Sequence, residues 1–250
     1  MAAMTNDGAT ALAVALKITF DKVYIINLPE RDERRREITN QFRKIGVSID
    51  SGFVSFFPAI RPADQAEFPS IGARGCFLSH LEVISYALRD GNSSILILED
   101  DADWTSAALN SRHDFPRVLS ETPWTFLHGG LGKSASSNVS GVELHPLRPD
   151  QPMSLTHFIG LRGSAIKSAK EFLTEMLKRP AGSEQGGPMH VDGAYSWLRE
   201  AHPEITGYIC EPSLAKQRPS ESDITPASGI RALPIIRHFL TIVRRVRKIM

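Results

Sequence analysis

Short apolar runs alternate with longer stretches of helical spacing over the first hundred residues. Residues 22–28 and 94–98 are rich in branched apolar residues and too short for a helix, a pattern typical of buried strands. Apolar positions at helical spacing predict helices over 29–46 and 72–89, and residues 53–57 read as another strand. This β-α-β order predicts an α/β fold with a Rossmann-like, mostly parallel central sheet flanked by helices in a single domain.

The pattern is weaker after residue 104. Residues 124–128 and 157–161 have the composition of strands, and residues 164–178 form a helical pattern. A short helix is predicted to follow Val191. The polar, glycine-rich span 129–152 is predicted to be a long surface loop, and loops of that length in a compact domain are usually functional or mobile.

These patterns divide the chain into a poorly ordered leader at 1–17, a domain at 18–230 and a basic tail at 231–250. In the tail, apolar residues recur every three or four positions with basic residues on the opposite side. Such a helix is typical of an anchor on an anionic membrane surface, while the alternative is a terminal helix docked on the domain with its charges solvated.

Charge is unevenly distributed. Six of the 29 basic residues and no acidic residue lie in 231–250, which leaves 23 basic against 28 acidic residues, a net charge of −5, in the rest. An overall net charge of +1 argues against nucleic-acid binding. The two cysteines, Cys76 and Cys210, are too few for a disulfide framework, and no apolar run approaches the length of a membrane span. We therefore expect a cytoplasmic protein, peripheral on the inner face of the plasma membrane through its tail.

Four acidic residues follow the predicted strand at 94–98. Glu99, Asp100 and Asp101 are consecutive, and Asp103 comes two residues later. Anions crowded where a buried strand surfaces need compensation by a cation or a donor-rich ligand, and the carboxyl ends of strands are where α/β sheets bind ligands. An extended chain would let Glu99 and Asp101 share a Mg²⁺ or Mn²⁺ ion. The alternative is that these acids cap the helix that follows.

Five blocks, in order, resemble glycosyltransferase family 25, which includes bacterial lipooligosaccharide galactosyltransferases and procollagen galactosyltransferases. The resemblance covers about residues 20–225. The blocks are Ile26-Asn27-Leu28 with Arg31 and Arg34-Arg35; Gly75-Cys76-Phe77-Leu78-Ser79-His80; Leu98-Glu99-Asp100-Asp101; Ile159 to Ala165; and Val191-Asp192 with Glu211-Pro212, Gln217 and Ser222-Asp223.

The resemblance implies a GT-A-type fold, a UDP-sugar donor and a divalent metal, Mn²⁺ or Mg²⁺, held by Glu99, Asp100 and Asp101. Asp103 is a weaker candidate because it lies outside the family's acidic block. Family members invert the anomeric centre, which calls for a carboxylate base, and Asp192 is the best candidate beside Asp101 as a catalytic residue. The residues implied in donor binding are Asn27, Leu28, Arg31, Arg35, Ser79, His80, Glu99, Asp100, Gln217, Ser222 and Asp223.

Each assignment has a structural alternative. Asn27, Arg31 and Arg35 could belong to a solvated first helix turn, His80 could be a core histidine, and Asp192 could be a helix cap. A hydrolase built on Ser79 and His80 is excluded, because adjacent helical residues point apart.

The expected function is transfer of a hexose, most often galactose, from a UDP-sugar to a saccharide or glycolipid acceptor such as lipopolysaccharide core or another cell-envelope glycan. Two alternatives remain open: a non-catalytic nucleotide-sugar-binding protein of the same fold, and a metal-dependent phosphohydrolase.

Overall fold

The computed structural model describes residues 10–131 and 141–218. The predicted site residues Ser222 and Asp223 and the predicted tail helix at 231–250 lie outside the described residues. Among the described residues, none of the helices combines the length and the apolar character needed to cross a membrane.

A seven-stranded sheet forms the centre of the described region. Its strands are β1 (Lys22–Asn27), β2 (Val54–Pro58), β3 (Ser94–Glu99), β5 (Phe126–His128), β6 (Glu143–Leu147), β7 (Phe158–Arg162) and β8 (Gly207–Glu211), whereas β4 (Ala102–Trp104) and β9 (Ala215–Gln217) pair in a separate two-stranded sheet.

The strand order of the large sheet is β2-β1-β3-β7-β5-β8-β6. Strand β1 is parallel to both of its neighbours, β2 and β3, and β5 is parallel to β8. Strand β7 runs antiparallel to β3 and β5, and β6 runs antiparallel to β8. Five strands therefore point one way, which confirms the predicted α/β fold with a mostly parallel sheet.

Helices cover both faces of the sheet. Alternate residues of β3 enter different core clusters: Leu96 and Leu98 pack with one set of helices, whereas Ile95 and Ile97 pack with the other. This alternation is the expected consequence of a strand buried on both faces. Helices α1 (Ala11–Thr19), α2 (Asp32–Lys44), α4 (Ser106–Leu109) and α5 (Phe115–Glu121) contribute to the first cluster, and α3 (Ile71–Arg89), α6 (Ser164–Met176) and α7 (Val191–Ala201) contribute to the second.

The predicted leader at 1–17 differs from the structure over its last residues. Helix α1 begins after Thr10, whose side chain accepts a hydrogen bond from the Ala13 backbone N–H at 3.2 Å, a favourable N-cap. Leu12 and Leu16 are fully buried in the first core cluster, and α1 packs against α5. The apolar run lacks a polar face because most of the helix is buried, so it shows no amphipathic pattern in the sequence.

The predicted loop at 129–152 also contains a strand. Among the described strands, β6 pairs with β8 alone and lies at the edge of the sheet, and most of its side chains are exposed or half-buried. Pro146 is compatible with an edge position, where a missing N–H costs no ladder hydrogen bond. A short, polar strand containing proline has the composition of a loop, which is why the sequence pattern did not reveal it.

Candidate functional site

The carboxyl ends of β1 and β3 place Asn27 beside the acidic run. These strands are parallel neighbours with Ile26 opposite Glu99. The side chain of Asn27 donates from Nδ2 to Oδ2 of Asp100 at 2.8 Å, and both residues are buried. Arg34, on the first turns of α2, forms an ion pair with Oδ1 of Asp100 at 3.0 Å. Asp100 is therefore compensated by the protein's own groups.

Glu99 takes a different direction and is held by donors from α3 and from the segment before β7. Its Oε1 accepts a hydrogen bond from the Thr156 hydroxyl at 2.5 Å and lies 3.6 Å from Nε2 of His80 and 3.9 Å from Sγ of Cys76. Burial alone would raise the pKa of Glu99, but His80 and Thr156 together hold it below its usual value. Glu99 is thus an ionised carboxylate within a buried polar cluster.

Asp101 is buried with one oxygen uncompensated. Gln217, on β9, donates from Nε2 to Oδ2 of Asp101 at 3.1 Å. The other oxygen, Oδ1, has no hydrogen-bond partner among residues 10–131 and 141–218. Burial, followed by the charge of Glu99, raises the pKa of Asp101 to about 7. A nearby cation would supply the compensation that this carboxylate lacks.

Asp103, the fourth acidic residue, is bound to other parts of the protein. It accepts a hydrogen bond from Nε2 of Gln41 at 2.8 Å and is paired with the guanidinium of Arg218. Arg218 also pairs with Glu37 on α2. Asp103 therefore joins the end of β9 to α2.

Ser79, predicted to contact the donor, has a structural role in the fold. Its hydroxyl donates to the Gly75 carbonyl at 2.7 Å and accepts from the Ile60 N–H at 2.8 Å. A Cβ at Gly75 would lie 2.7 Å from the Ile60 carbonyl oxygen, so glycine is needed for this approach. These contacts fix α3 against the segment after β2.

His80, in contrast, reaches the acidic run. Its side chain is fully buried, and its Nδ1 lies 3.1 Å from the hydroxyl of Tyr195 on α7. Its Nε2 points to Glu99 as described above. His80 thus lies beside the acidic residues, and its predicted role in donor binding stays a prediction.

The predicted residues Leu28, Arg31 and Arg35 lie just before α2 and in its first turn. The Leu28 carbonyl accepts from the Arg31 N–H at 2.9 Å, and the Arg31 guanidinium lies 3.5 Å from Glu33. Arg35 lies over the ring of Phe56, 4.2 Å from its centroid. Arg34, which was noted in the sequence block but not chosen as a site residue, pairs with Asp100.

Asp192 lies at the start of α7, on the side of the acidic run. Its Oδ1 accepts a hydrogen bond from the Gly193 N–H at 2.7 Å, and the residue is half-buried. After burial, the charges of Glu99 and Asp192 raise the pKa of the Cys76 thiol, so these carboxylates act on a common region. The residue preceding α7 is His190, whose side chain forms no capping hydrogen bond.

A glycine pair ends β5. Nδ1 of His128 accepts from the Gly130 N–H at 3.0 Å, and its Nε2 lies 2.9 Å from the Leu155 carbonyl. A Cβ at Gly129 would meet Phe158 at 2.4 Å, and one at Gly130 would meet Ser213 at 2.3 Å. Gly129 is therefore needed for close packing against β7, and Gly130 for close packing against the residues just before β9.

The arrangement of the acidic residues favours a divalent cation bound by Asp101 over one bound jointly by Glu99, Asp100 and Asp101. Asp100 is paired with Arg34, and Glu99 turns toward His80. Among the described residues, the metal-ligating side chains that converge in a group of three are Cys76, His80 and Glu99. Asp101, with a buried unpaired oxygen, is the member of the acidic run that a bound cation would complete.

Residues 20–117 match the family model described as "Glycosyltransferase family 25 (LPS biosynthesis protein)". Residues 20–117 are thus similar to glycosyltransferase family 25. Curated relatives named "Glycosyltransferase 25 family member" are similar to this chain. The one from Drosophila pseudoobscura pseudoobscura is 29% identical to it over 101 residues, the one from Drosophila melanogaster 30% over 101 residues, and the one from Aedes aegypti 28% over 106 residues. Each match covers 34% of this chain but only 16–17% of the relative, so the chain spans a small part of these longer proteins.

The family match contains the acidic run together with Asn27, Arg34 and His80, whereas Asp192 and Gln217 lie beyond its last residue. A solved structure described as a glycosyltransferase involved in the glycosylation of the major capsid of PBCV-1 is 13% identical, with a TM-score of 0.43 over 75% of this chain and 80% of that chain.

Proposed function

We propose that the chain is an inverting glycosyltransferase that moves a hexose from a UDP-sugar to a saccharide acceptor. The observation that carries this proposal is Asp101, a buried carboxylate with one oxygen that lacks a hydrogen-bond partner among the described residues. It lies at the carboxyl end of a central strand, within the region that matches the family 25 model. Such a carboxylate is suited to a cation that accompanies an anionic ligand.

Asp101 would hold Mn²⁺ or Mg²⁺ together with the donor's phosphate oxygens. When bound, the ion would offset the negative charge of the departing UDP. Gln217 fixes the Asp101 carboxylate from one side. On the other side, Arg34 and Asn27 fix Asp100. Asp100 then serves to orient the start of α2 rather than to bind the ion.

Asp192 is the proposed base. It takes the proton from an acceptor hydroxyl while that oxygen forms its bond to the anomeric carbon, and the bond from this carbon to the UDP oxygen breaks. Support comes from its electrostatic proximity to Cys76 beside Glu99.

The finer assignments follow from the resemblance. Galactose is the proposed sugar, and lipopolysaccharide core or another envelope glycan the proposed acceptor. The basic tail at 231–250 would bring the enzyme to an anionic membrane surface on the cytoplasmic side. Leu28, Arg31, Arg35, Ser222 and Asp223 remain predicted donor contacts.

A UDP-release assay tests the proposal. The full chain is incubated with a panel of UDP-sugars and a saccharide acceptor, with Mn²⁺, with Mg²⁺ or with a chelator. We expect acceptor-dependent UDP release that is greatest with UDP-galactose and is lost in chelator. Binding without turnover would instead favour the non-catalytic reading, and release of sugar or phosphate without an acceptor would favour a phosphohydrolase.

A further inference from the structure

A second cluster of metal-ligating groups lies beside the acidic run and plays no part in the proposed transfer. It consists of the Cys76 thiol, the His80 imidazole and the Glu99 carboxylate, and we call it the Cys-His-Glu cluster. One ligand atom from each residue lies within 4.8 Å of the other two. The Oε1 of Glu99 lies 3.9 Å from Sγ of Cys76 and 3.6 Å from Nε2 of His80.

Two of the three ligands come from one face of α3. Cys76 and His80 are four residues apart, so their side chains lie one turn above the other. Glu99, at the end of β3, completes the group from the sheet. A tetrahedral zinc ion with bonds of about 2.3 Å to sulfur and about 2.0 Å to nitrogen or oxygen sets its ligand atoms roughly 3.3–3.6 Å apart. The two separations from Glu99 Oε1, 3.9 Å to Sγ and 3.6 Å to Nε2, exceed these values by roughly 0.3–0.4 Å, and the separation between the Cys76 and His80 ligand atoms is within 4.8 Å.

An independent observation comes from the histidine. His80 is fully buried, yet its Nε2 forms no hydrogen bond within the described part of the chain. The opposite ring nitrogen, Nδ1, lies 3.1 Å from the Tyr195 hydroxyl. A metal-binding histidine characteristically has this arrangement, in which a hydrogen bond at one nitrogen orients the ring and the other nitrogen faces the metal. The Thr156 hydroxyl similarly orients Glu99.

We propose that the Cys-His-Glu cluster binds a zinc-type divalent ion, separately from the cation at Asp101. Binding replaces the proton of the Cys76 thiol, which passes to solvent, and forms bonds to Sγ, Nε2 and Oε1. The thiolate and the carboxylate neutralise the ion's two charges, so the occupied site has no net charge. The ligand chemistry also separates the two sites: sulfur and nitrogen favour zinc, whereas oxygen ligands such as Asp101 favour Mg²⁺ or Mn²⁺.

The ion would join α3 to the end of β3 and fix the orientation of Glu99. Three protein ligands are the number found in zinc sites that keep a fourth position open. Because the ion binds the folded chain, it should also raise the melting temperature as its concentration exceeds the dissociation constant.

Cobalt substitution provides a direct test because the sequence has only two cysteines. The full chain is titrated with Co²⁺, and the thiolate-to-cobalt charge-transfer band in the near ultraviolet is recorded. We expect one equivalent to produce the band in the wild type and in Cys210→Ser, the control that removes the other cysteine. Cys76→Ser should lack the band, and His80→Gln should bind Co²⁺ at least 10-fold more weakly.

A thermal shift with Zn²⁺ supplies the second measurement, with folding of each variant checked by circular dichroism. Zinc should raise the melting temperature of the wild type and of Cys210→Ser but not of His80→Gln, which retains the thiol and covers the case in which Cys76→Ser does not fold. A band that persists in Cys76→Ser, or a wild type that gives neither band nor thermal shift, would overturn the proposal. Neither measurement uses a UDP-sugar, so failure here is distinguishable from failure of the proposed transfer.

Discussion

Asn27 and Asp100 lie 73 residues apart in the chain, and the Asn27 side chain donates a hydrogen bond from Nδ2 to Asp100 Oδ2 at 2.8 Å. Together with the ion pair to Arg34, this contact joins the ends of β1 and β3 to α2. Asp100 is therefore unlike its neighbour Asp101, whose Oδ1 has no hydrogen-bond partner in the described part of the chain.

Asp100→Ala should lower the free energy of unfolding by roughly 2–4 kcal/mol, because it leaves Arg34 and Asn27 without their shared acceptor in a largely buried place. Urea unfolding followed by circular dichroism measures the loss. Asp100→Asn keeps an acceptor for Asn27 but removes the charge opposite Arg34, so we expect a smaller loss. Equal stability of Asp100→Ala and wild type would show that the contact contributes nothing.

Asp101 and Asp103 form a matched pair, two residues apart, that separates catalysis from stability. Asp101→Asn should lower UDP release by about 100-fold or more, since the cation loses its carboxylate, while the free energy of unfolding changes by about 1 kcal/mol or less. Asp103→Asn weakens the links to Arg218 and Gln41 and should cost roughly 1–2 kcal/mol of stability with turnover per folded molecule near that of the wild type. Equal losses of turnover in the two variants would contradict this division of roles.

The strands that carry the site were predictable from the sequence because their burial pattern is local. Residues 22–28 and 94–98 are apolar at successive positions, as strands covered on both faces must be. Because β1 and β3 are parallel neighbours, the acidic residues at the carboxyl end of β3 lie beside the carboxyl end of β1. Pattern and topology thus locate the site on the sheet.

The pairing of individual side chains was not predictable in the same way. Arg34 and Arg35 are adjacent, but one step along a helix rotates the side chain by about 100°, so only one can face Asp100. The structure places Arg34 there and Arg35 over Phe56. Helix phase depends on how α2 packs in the core, which no local pattern encodes. Glu99 and Asp101 do not share one side of an extended chain, because β3 ends at Glu99 and residues 100 and 101 form a turn.

Asp192→Asn tests the proposed base. The amide is nearly isosteric and can still accept from the Gly193 N–H, so the helix should lose only the charge–dipole interaction, about 0.3–1 kcal/mol. UDP transfer should fall 10²–10⁴-fold in kcat, roughly the contribution of a general base, with KM for the donor little changed. Donor KM rising in parallel with the loss of kcat, or turnover equal to wild type, would assign Asp192 to the helix terminus alone.

His128 should make stability depend on pH between about 4 and 6.5. Burial lowers the pKa of His128 to about 4, and the ring is held neutral between the Gly130 N–H and the Leu155 carbonyl. Between these values the unfolded chain binds a proton that the folded chain does not, so stability decreases as the pH falls, by roughly 2 kcal/mol from pH 7.5 to pH 5 through this residue. In His128→Asn, whose Oδ1 can still accept from Gly130, the free energy of unfolding should be lower at pH 7.5 but decrease less toward pH 5. Urea unfolding at both pH values measures the difference, and an equal decrease in the two proteins would show that His128 is not the group responsible.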